Sequence, residues 1–227
     1  MFVSLNFEKT ESRDVSIVVD TFRASTTITM GFNNFDCVIP AFSPDAAREI
    51  AKEYEGVLVG ERLGQQLDGF DLGNSPEKVA NFKTDKDTMV ITTTNGTRIM
   101  ESMDSKVLVG AFVNAKAVAT KSLELADNHI DLVMAGRKGN FALEDYLACG
   151  EIIYWINSLG DNLELSEYAQ SSLLASRDVE KCDKLLKETE SAKILCDLGY
   201  MDDVLFSLQR NISDNVAFYV EGKFKLI

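Results

Sequence analysis

Five acidic residues, Asp20, Glu61, Asp71, Glu144 and Asp145, lie at or soon after the ends of short apolar segments. Gathered in one pocket, such carboxylates repel one another. A hard divalent cation relieves that repulsion, and Mg²⁺ takes one or two carboxylates together with waters and substrate oxygens. Asp20 is the first choice among the five, because a charge that ends the run Ser16-Ile17-Val18-Val19 lies close to a buried layer. Asp71 equally suits closing a turn, and Glu144 and Asp145 equally suit the start of a helix. Four of the eight arginines, Arg23, Arg62, Arg98 and Arg137, stand just after the same segments. A guanidinium presents a planar fork that meets phosphate, sulfonate or carboxylate oxygens in pairs. Expected helix starts at Ser25, Ser75 and Gly96 add backbone N–H donors and positive dipole ends. Acids for a cation and arginines for an anion point to chemistry on a small polyanion.

Several phosphate chemistries are excluded by what is missing. The chain has no Gly-x-x-x-x-Gly-Lys-Ser/Thr loop of the nucleotide hydrolases. Asp20 is followed by Thr21-Phe22 with no second aspartate two positions on, so the aspartyl-phosphate signature is absent. No cysteine has an arginine six positions later, which removes the cysteine-phosphatase loop. The single histidine, His129, precedes an apolar segment and belongs on the edge opposite the acids, as a surface or capping residue. A Ser-His-Asp triad and histidine-phosphatase chemistry are therefore disfavoured. Metal-assisted attack by water, or by a side chain these motifs do not identify, is what remains.

The elements that must position these groups follow from periodicity. The β-branched runs 15–20, 37–42, 57–61, 88–93, 106–112 and 130–135 alternate with amphipathic stretches such as 44–54 and 115–126. Ser43-Pro44 reads as a helix cap and first position, and Asn114 as a second cap. Strands apolar almost throughout, separated by helices, predict an α/β fold: a mostly parallel sheet with helices on both faces. In such a sheet ligands bind beyond the carboxyl ends of the strands, where the acids and arginines fall. Residues 141–158 and 165–196 predict an additional helical layer toward the C-terminus, and 215–227 a closing hairpin turning at Glu221-Gly222. A single domain over 1–227 is expected, with 161–193 either a solvated layer or a small helical lid.

Composition bounds the partners. With 23 Lys+Arg against 36 Asp+Glu the net charge is −13, a surface that repels nucleic acid and anionic membranes. No apolar run approaches the roughly 20 residues of a membrane span. The first fourteen residues lack the pattern of an export signal, so a cytoplasmic location is expected. Cys37, Cys149, Cys182 and Cys196 form no Cys-x-x-Cys pair and read as reduced thiols.

Five blocks, taken in order, resemble the 2-phosphosulfolactate phosphatase family. They are Asp20-Thr21-Phe22-Arg23-Ala24-Ser25-Thr26-Thr27, Gly60-Glu61-Arg62, Gly69-Phe70-Asp71-Leu72-Gly73-Asn74-Ser75-Pro76, Thr93-Thr94-Asn95-Gly96-Thr97 and Glu144-Asp145. With the segment Asp202–Asp214 the likeness covers nearly the whole chain. The resemblance implies a distinct α/β fold and Mg²⁺-dependent removal of phosphate from 2-phospho-3-sulfolactate, a step of coenzyme M biosynthesis in methanogens. On that footing Asp20 and Asp145 serve the metal or activate the nucleophile, with Glu61 and Glu144 in reserve. Arg23, Arg62 and Arg137, with Ser25, Ser75 and the loop Thr94, Asn95, Gly96 and Thr97, hold anionic oxygens. Asp71 and Asn74 orient the substrate or bind a metal water. A binding module for a phosphorylated metabolite, and a phosphotransferase or lyase on a related phosphoester, are the rival readings, and a homodimer is left open.

Overall fold

The protein, represented by a computed structural model, is described over residues 1–93 and 103–227. The strands are β1 (Phe2–Phe7), β2 (Val15–Val19), β3 (Cys37–Pro40), β4 (Val57–Arg62), β5 (Gln65–Gln66), β6 (Thr88–Thr92), β7 (Lys106–Gly110), β8 (His129–Met134), β9 (Glu164–Leu165), β10 (Ala217–Val220) and β11 (Lys223–Leu226). The helices are α1 (Ala24–Gly31), α2 (Pro44–Glu53), α3 (Pro76–Ala80), α4 (Ala115–Leu125), α5 (Leu143–Leu159), α6 (Glu167–Ala175), α7 (Val179–Leu186), α8 (Glu190–Asp197) and α9 (Met201–Ser207). The six expected strands and the closing hairpin are all present. No helix among the described residues is long and apolar enough to cross a membrane.

The sheet runs β5-β4-β6-β3-β11-β10-β7-β2-β8-β1-β9. Two parallel groups, β4-β6-β3 and β7-β2-β8-β1-β9, are joined by the C-terminal hairpin, which pairs antiparallel with β7 on one side and β3 on the other. Glu221 and Gly222 both have positive φ, the geometry of a two-residue hairpin turn of the primed type. Alternation along each strand then sends side chains to opposite faces. Ile17, Val19, Leu108 and Leu132 pack against α4 and α5, while Val18, Val107, Val109 and Val133 face α1 and α3. Ile39 and Val90 pack on the far side against α2.

Helix α1 has all eight residues buried. Two of its hydroxyls are met locally, Ser25 Oγ donating to Val18 O and Thr26 Oγ1 to Thr21 O, while Thr27 Oγ1 is buried with no hydrogen-bond partner among the described residues. In a flat sheet β4 and β2 would stand six strand spacings apart, about 29 Å. Their ends nevertheless meet at one cavity, so the sheet curls around α1.

Three expectations need correction. Residues 2–7 form a strand that was not foreseen, paired in parallel with β8 from Phe2 opposite His129 to Phe7 opposite Met134. His129 is not a surface or capping residue; it opens β8, half-buried, with Nε2 2.7 Å from Ser4 Oγ. That serine donates to the buried Asp131 at 2.6 Å, so the three residues make a structural knot and not a triad. Asn114 occupies a helix-cap position, but its Oδ1 turns back to accept from Ala111 N–H at 2.9 Å and leaves α4 without a side-chain cap.

The hairpin carries Phe224, wholly buried where the two halves of the sheet meet. Phe224→Ala is expected to cost about 3–5 kcal/mol of stability, measured by urea denaturation. A loss below about 1 kcal/mol would mean the hairpin does not join the halves.

Candidate active site

A cavity of about 210 Å³ opens at the carboxyl ends of β2, β4, β6 and β8. One wall consists of Asp20, Glu61, Glu144 and Asp145, all more than nine-tenths buried. Asp20 follows β2, Glu61 is the last residue but one of β4, and the adjacent acids open α5 behind the loop that leaves β8. The parallel pairing of β2 with β8 brings the first and last of these together.

Asp145 ties the two loops. Its Oδ1 accepts from Thr21 N–H at 2.8 Å, and its Oδ2 from Gly136 N–H at 2.9 Å. Asp20 is anchored by its backbone: its N–H donates to Ser25 Oγ, and its carbonyl accepts from Ser25 N–H, both at 2.8 Å. Glu61 Oε2 accepts from Gly64 N–H at 2.7 Å. Burial, with the nearby charges of Glu61 and Glu144, pushes the Asp20 carboxyl up to about 7. Burial, then the charges of Asp20 and Glu144, raises Asp145 well above the usual carboxylate range.

Arg23 lies beside this wall with its guanidinium already engaged. Nη1 pairs with Asp203 Oδ2 of α9 at 2.6 Å, Nη2 donates to Gly64 O at 2.7 Å, and the plane lies over the Tyr200 ring, 4.7 Å from its centroid. Asp203 also accepts from Ser75 Oγ, the residue that caps α3. One buried carboxylate thus holds the loop after β2 and the turn before α3. Asn74, next to Ser75, lines the cavity, as does Thr93 after β6. Asn74 Oδ1 and Thr93 Oγ1 are both buried without a hydrogen-bond partner among the described residues.

The remaining wall comes from Arg137 and Lys138 and from Ser191, Ile194 and Leu195 of α8. Part of the segment foreseen as a layer or lid, 161–193, therefore faces the cavity. Phe22, Leu63, Gly64 and Gly136 complete the lining among the described residues.

Of the residues singled out in the sequence, the structure brings together Asp20, Arg23, Glu61, Asn74, Arg137, Glu144 and Asp145. Asp71 must be withdrawn as a metal ligand. It is exposed, outside the lining, and its Oδ2 accepts from Leu58 N–H at 2.8 Å, the turn-closing alternative. Arg62 is spent on Glu61 O and Thr92 Oγ1 and does not line the cavity. Ser25 and Ser75 are buried in loop and cap contacts and present no hydroxyl to a ligand. Thr94, Asn95, Gly96, Thr97 and Arg98 lie outside the described residues. Asp203, Thr93, Lys138 and the α8 residues were not foreseen. Lys138 was adjacent to a chosen arginine, and Asp203 lies in the terminal segment that carried the resemblance.

Among the described residues no group of three or more His, Cys, Asp or Glu side chains is placed to hold a metal ion together. The donor set still fits Mg²⁺, which needs only one or two carboxylates beside waters and substrate oxygens. Four buried acids, with Asp20 and Asp145 raised in part by neighbouring charge, are the environment a divalent cation stabilises.

Two outcomes follow. Asp203→Ala strands the buried Arg23 charge and is expected to cost about 3–5 kcal/mol in chemical denaturation, with Asp203→Asn less severe; loss below about 1 kcal/mol for Asp203→Ala would show that the pair does not organise the site. For pH, Asp20 ionises near 3.8 when unfolded and near 7 when folded. Between those values the folded state holds the extra proton, so this contribution is full at low pH and is lost as pH rises through about 7. In metal-free protein, Asp20→Asn should therefore gain Tm relative to the parent from pH 5 to 8; parallel Tm curves would contradict the shift.

The sequence agrees with this geometry. The family model for 2-phosphosulpholactate phosphatase matches residues 2–222. The 2-phosphosulfolactate phosphatase of Methanothermobacter thermautotrophicus is 43% identical over 100% of this chain and 96% of its own. That of Methanocaldococcus jannaschii is 34% identical over 97% and 96%. A probable 2-phosphosulfolactate phosphatase of Thermotoga maritima is 36% identical over 93% and 91%. A full-length match, on a fold whose strand ends gather acids and cations at one cavity, places the chain in the 2-phosphosulfolactate phosphatase family.

Proposed function

We propose that this protein hydrolyses the phosphoester of a small, multiply anionic hydroxy acid, 2-phospho-3-sulfolactate before others, in a Mg²⁺-dependent reaction. The carrying observation is the composition of the cavity: four buried carboxylates on one wall and Arg23, Arg137 and Lys138 around the rest. An anion receptor without chemistry gains nothing from four acids, whereas a phosphatase that uses a divalent cation needs them.

Glu61 and Glu144 are the residues that would hold Mg²⁺, with Asp20 close enough to share its field. When bound, the ion offsets the negative charge that develops on the phosphoryl oxygens. Asp20, whose carboxyl is raised by burial and by its acidic neighbours in the metal-free cavity, is the proton acceptor for the attacking water. The water oxygen joins phosphorus as its proton passes to Asp20, the bond from phosphorus to the ester oxygen breaks, and that oxygen takes a proton from solvent to become the hydroxyl of the product, Asp20 then releasing its own to solvent. Asp145 holds the loops after β2 and β8 in register and keeps Asp20 opposite the phosphoryl group. Thr93 Oγ1 and Asn74 Oδ1, unpartnered and buried, supply a donor to a phosphoryl oxygen and an acceptor to the water. Arg23 acts through its charge, because Asp203 and Gly64 fix its fork. Four free thiols accord with a cytoplasmic enzyme, and the reaction accords with coenzyme M biosynthesis where that cofactor is made.

Phosphate release from 2-phospho-3-sulfolactate, followed by ³¹P NMR, is expected to need added Mg²⁺ and to stop in excess EDTA. Glu144→Gln and Asp20→Asn should each lower kcat by about a hundredfold or more, the scale of losing one group aimed at developing charge. Full turnover in EDTA, with metal content shown to be negligible, would remove the metal from the mechanism.

A further inference from the structure

The cavity does not end at the carboxylates. Beside it lies a second hollow of about 340 Å³, and the two share Arg137, Lys138, Glu144 and Ser191. The shared wall is a tight turn. Arg137 N–H donates to Asn140 O at 2.9 Å, Asn140 N–H returns to Arg137 O at 3.0 Å, and Asn140 Nδ2 reaches Lys138 O at 3.2 Å. Gly136 enters the turn at φ +65°, and a Cβ there would lie 2.3 Å from the Phe7 ring and 2.5 Å from Asn140 O, so only glycine fits. The Gly136 N–H is also the donor to Asp145 Oδ2. Arg137 therefore stands one residue from the carboxylate wall, on backbone fixed from both directions.

The cations of this turn differ from Arg23 in what they touch. Arg23 is buried and spent on Asp203 and Gly64. Lys138 has no ion-pair partner among the described residues. Arg137 Nη2 meets Glu190 Oε1 at 2.8 Å, but that glutamate is 77% exposed at the start of α8. An exposed pair of this kind is weak, and an anion seated in the cavity and gripped by the guanidinium fork outcompetes it. Lys138, without an ion-pair partner among the described residues, and Arg137, with only a solvated one, both keep hydrogen-bonding capacity at the wall the two hollows share.

We infer that Arg137 and Lys138 form a second anion subsite that takes the sulfonate or carboxylate not being transferred, and that Glu190 is the counter-ion this group displaces from Arg137. The inference rests on the phosphoester reading above and adds to it the reason the substrate carries more than one anion. With the phosphoryl group against the carboxylate wall, a three-carbon frame places its other anionic end beside the neighbouring turn.

The test compares three esters: 2-phospho-3-sulfolactate, 2-phospholactate, which lacks the sulfonate, and the phosphate ester of 2-hydroxyethanesulfonate, which lacks the carboxylate. Arg137→Ala and Lys138→Ala should lower kcat/KM at least tenfold for the full substrate, mainly through KM, and markedly less for the ester missing the group the subsite reads. Whichever truncated ester is the less sensitive identifies that group. Glu190→Gln should raise kcat/KM for the full substrate two- to fivefold. Equal losses across all three esters, or a fall in Glu190→Gln, would overturn the subsite while leaving the phosphatase reading intact. Calorimetric titration with 3-sulfolactate supplies a readout independent of turnover. Binding at least tenfold weaker in Arg137→Ala supports the subsite, and no binding to the parent protein overturns it, even if no ester is hydrolysed.

Discussion

Four carboxylates buried in a single cavity impose the constraint around which the rest of this molecule is arranged. Removing a charge from water is costly, and doing so beside like charges costs more. The protein distributes that cost. Asp145 receives two backbone N–H groups, Glu61 receives one, and Arg23 lies near Asp20 as a buried positive charge. Each contact also fixes a loop, so the bonds that make the acids tolerable are the bonds that hold them in place. The residual cost remains in the raised carboxyls of Asp20 and Asp145.

Bringing those loops together is a task for the whole sheet. The strands that carry Asp20 and Glu61 belong to different parallel groups, separated by the C-terminal hairpin. Only a sheet curled around α1 lets their ends meet. The helical region after β8 then completes the arrangement twice over: α9 delivers Asp203 to Arg23 and Ser75, and α8 adds Ser191, Ile194 and Leu195 to the cavity wall. The last third of the chain is thus part of the site, although most of the candidate residues precede it.

Much of this was legible in the sequence, for reasons that can be named. Buried parallel strands need continuous β-branched runs, so six strands and the polar residues at their ends stood out. Glu221-Gly222 marked a hairpin because Gly222 takes positive φ without steric cost, as it does in the structure. Strand Phe2–Phe7 was missed although Val3 and Leu5 alternate with Ser4 and Asn6, the pattern of a strand with distinct faces. What sequence could not show was the partner of each charge. Arg23 and Asp203 are 180 residues apart, and nothing local distinguishes an arginine held by a buried acid from one open to a ligand. Asp71 and Arg62 fail for the same reason: both were in the right loops, but their side chains are taken by backbone and hydroxyl groups. The curl of the sheet, which decides which strand ends meet, left no local trace.

The carboxylate wall is proposed to hold a divalent cation against a phosphoryl group. Anomalous diffraction from crystals soaked in Mn²⁺ and inorganic phosphate tests it directly. An anomalous peak is expected within coordinating distance of Glu61 and Glu144, with a phosphate oxygen completing the ion's shell. A cavity free of Mn²⁺, in crystals that still release phosphate from the ester, would contradict it.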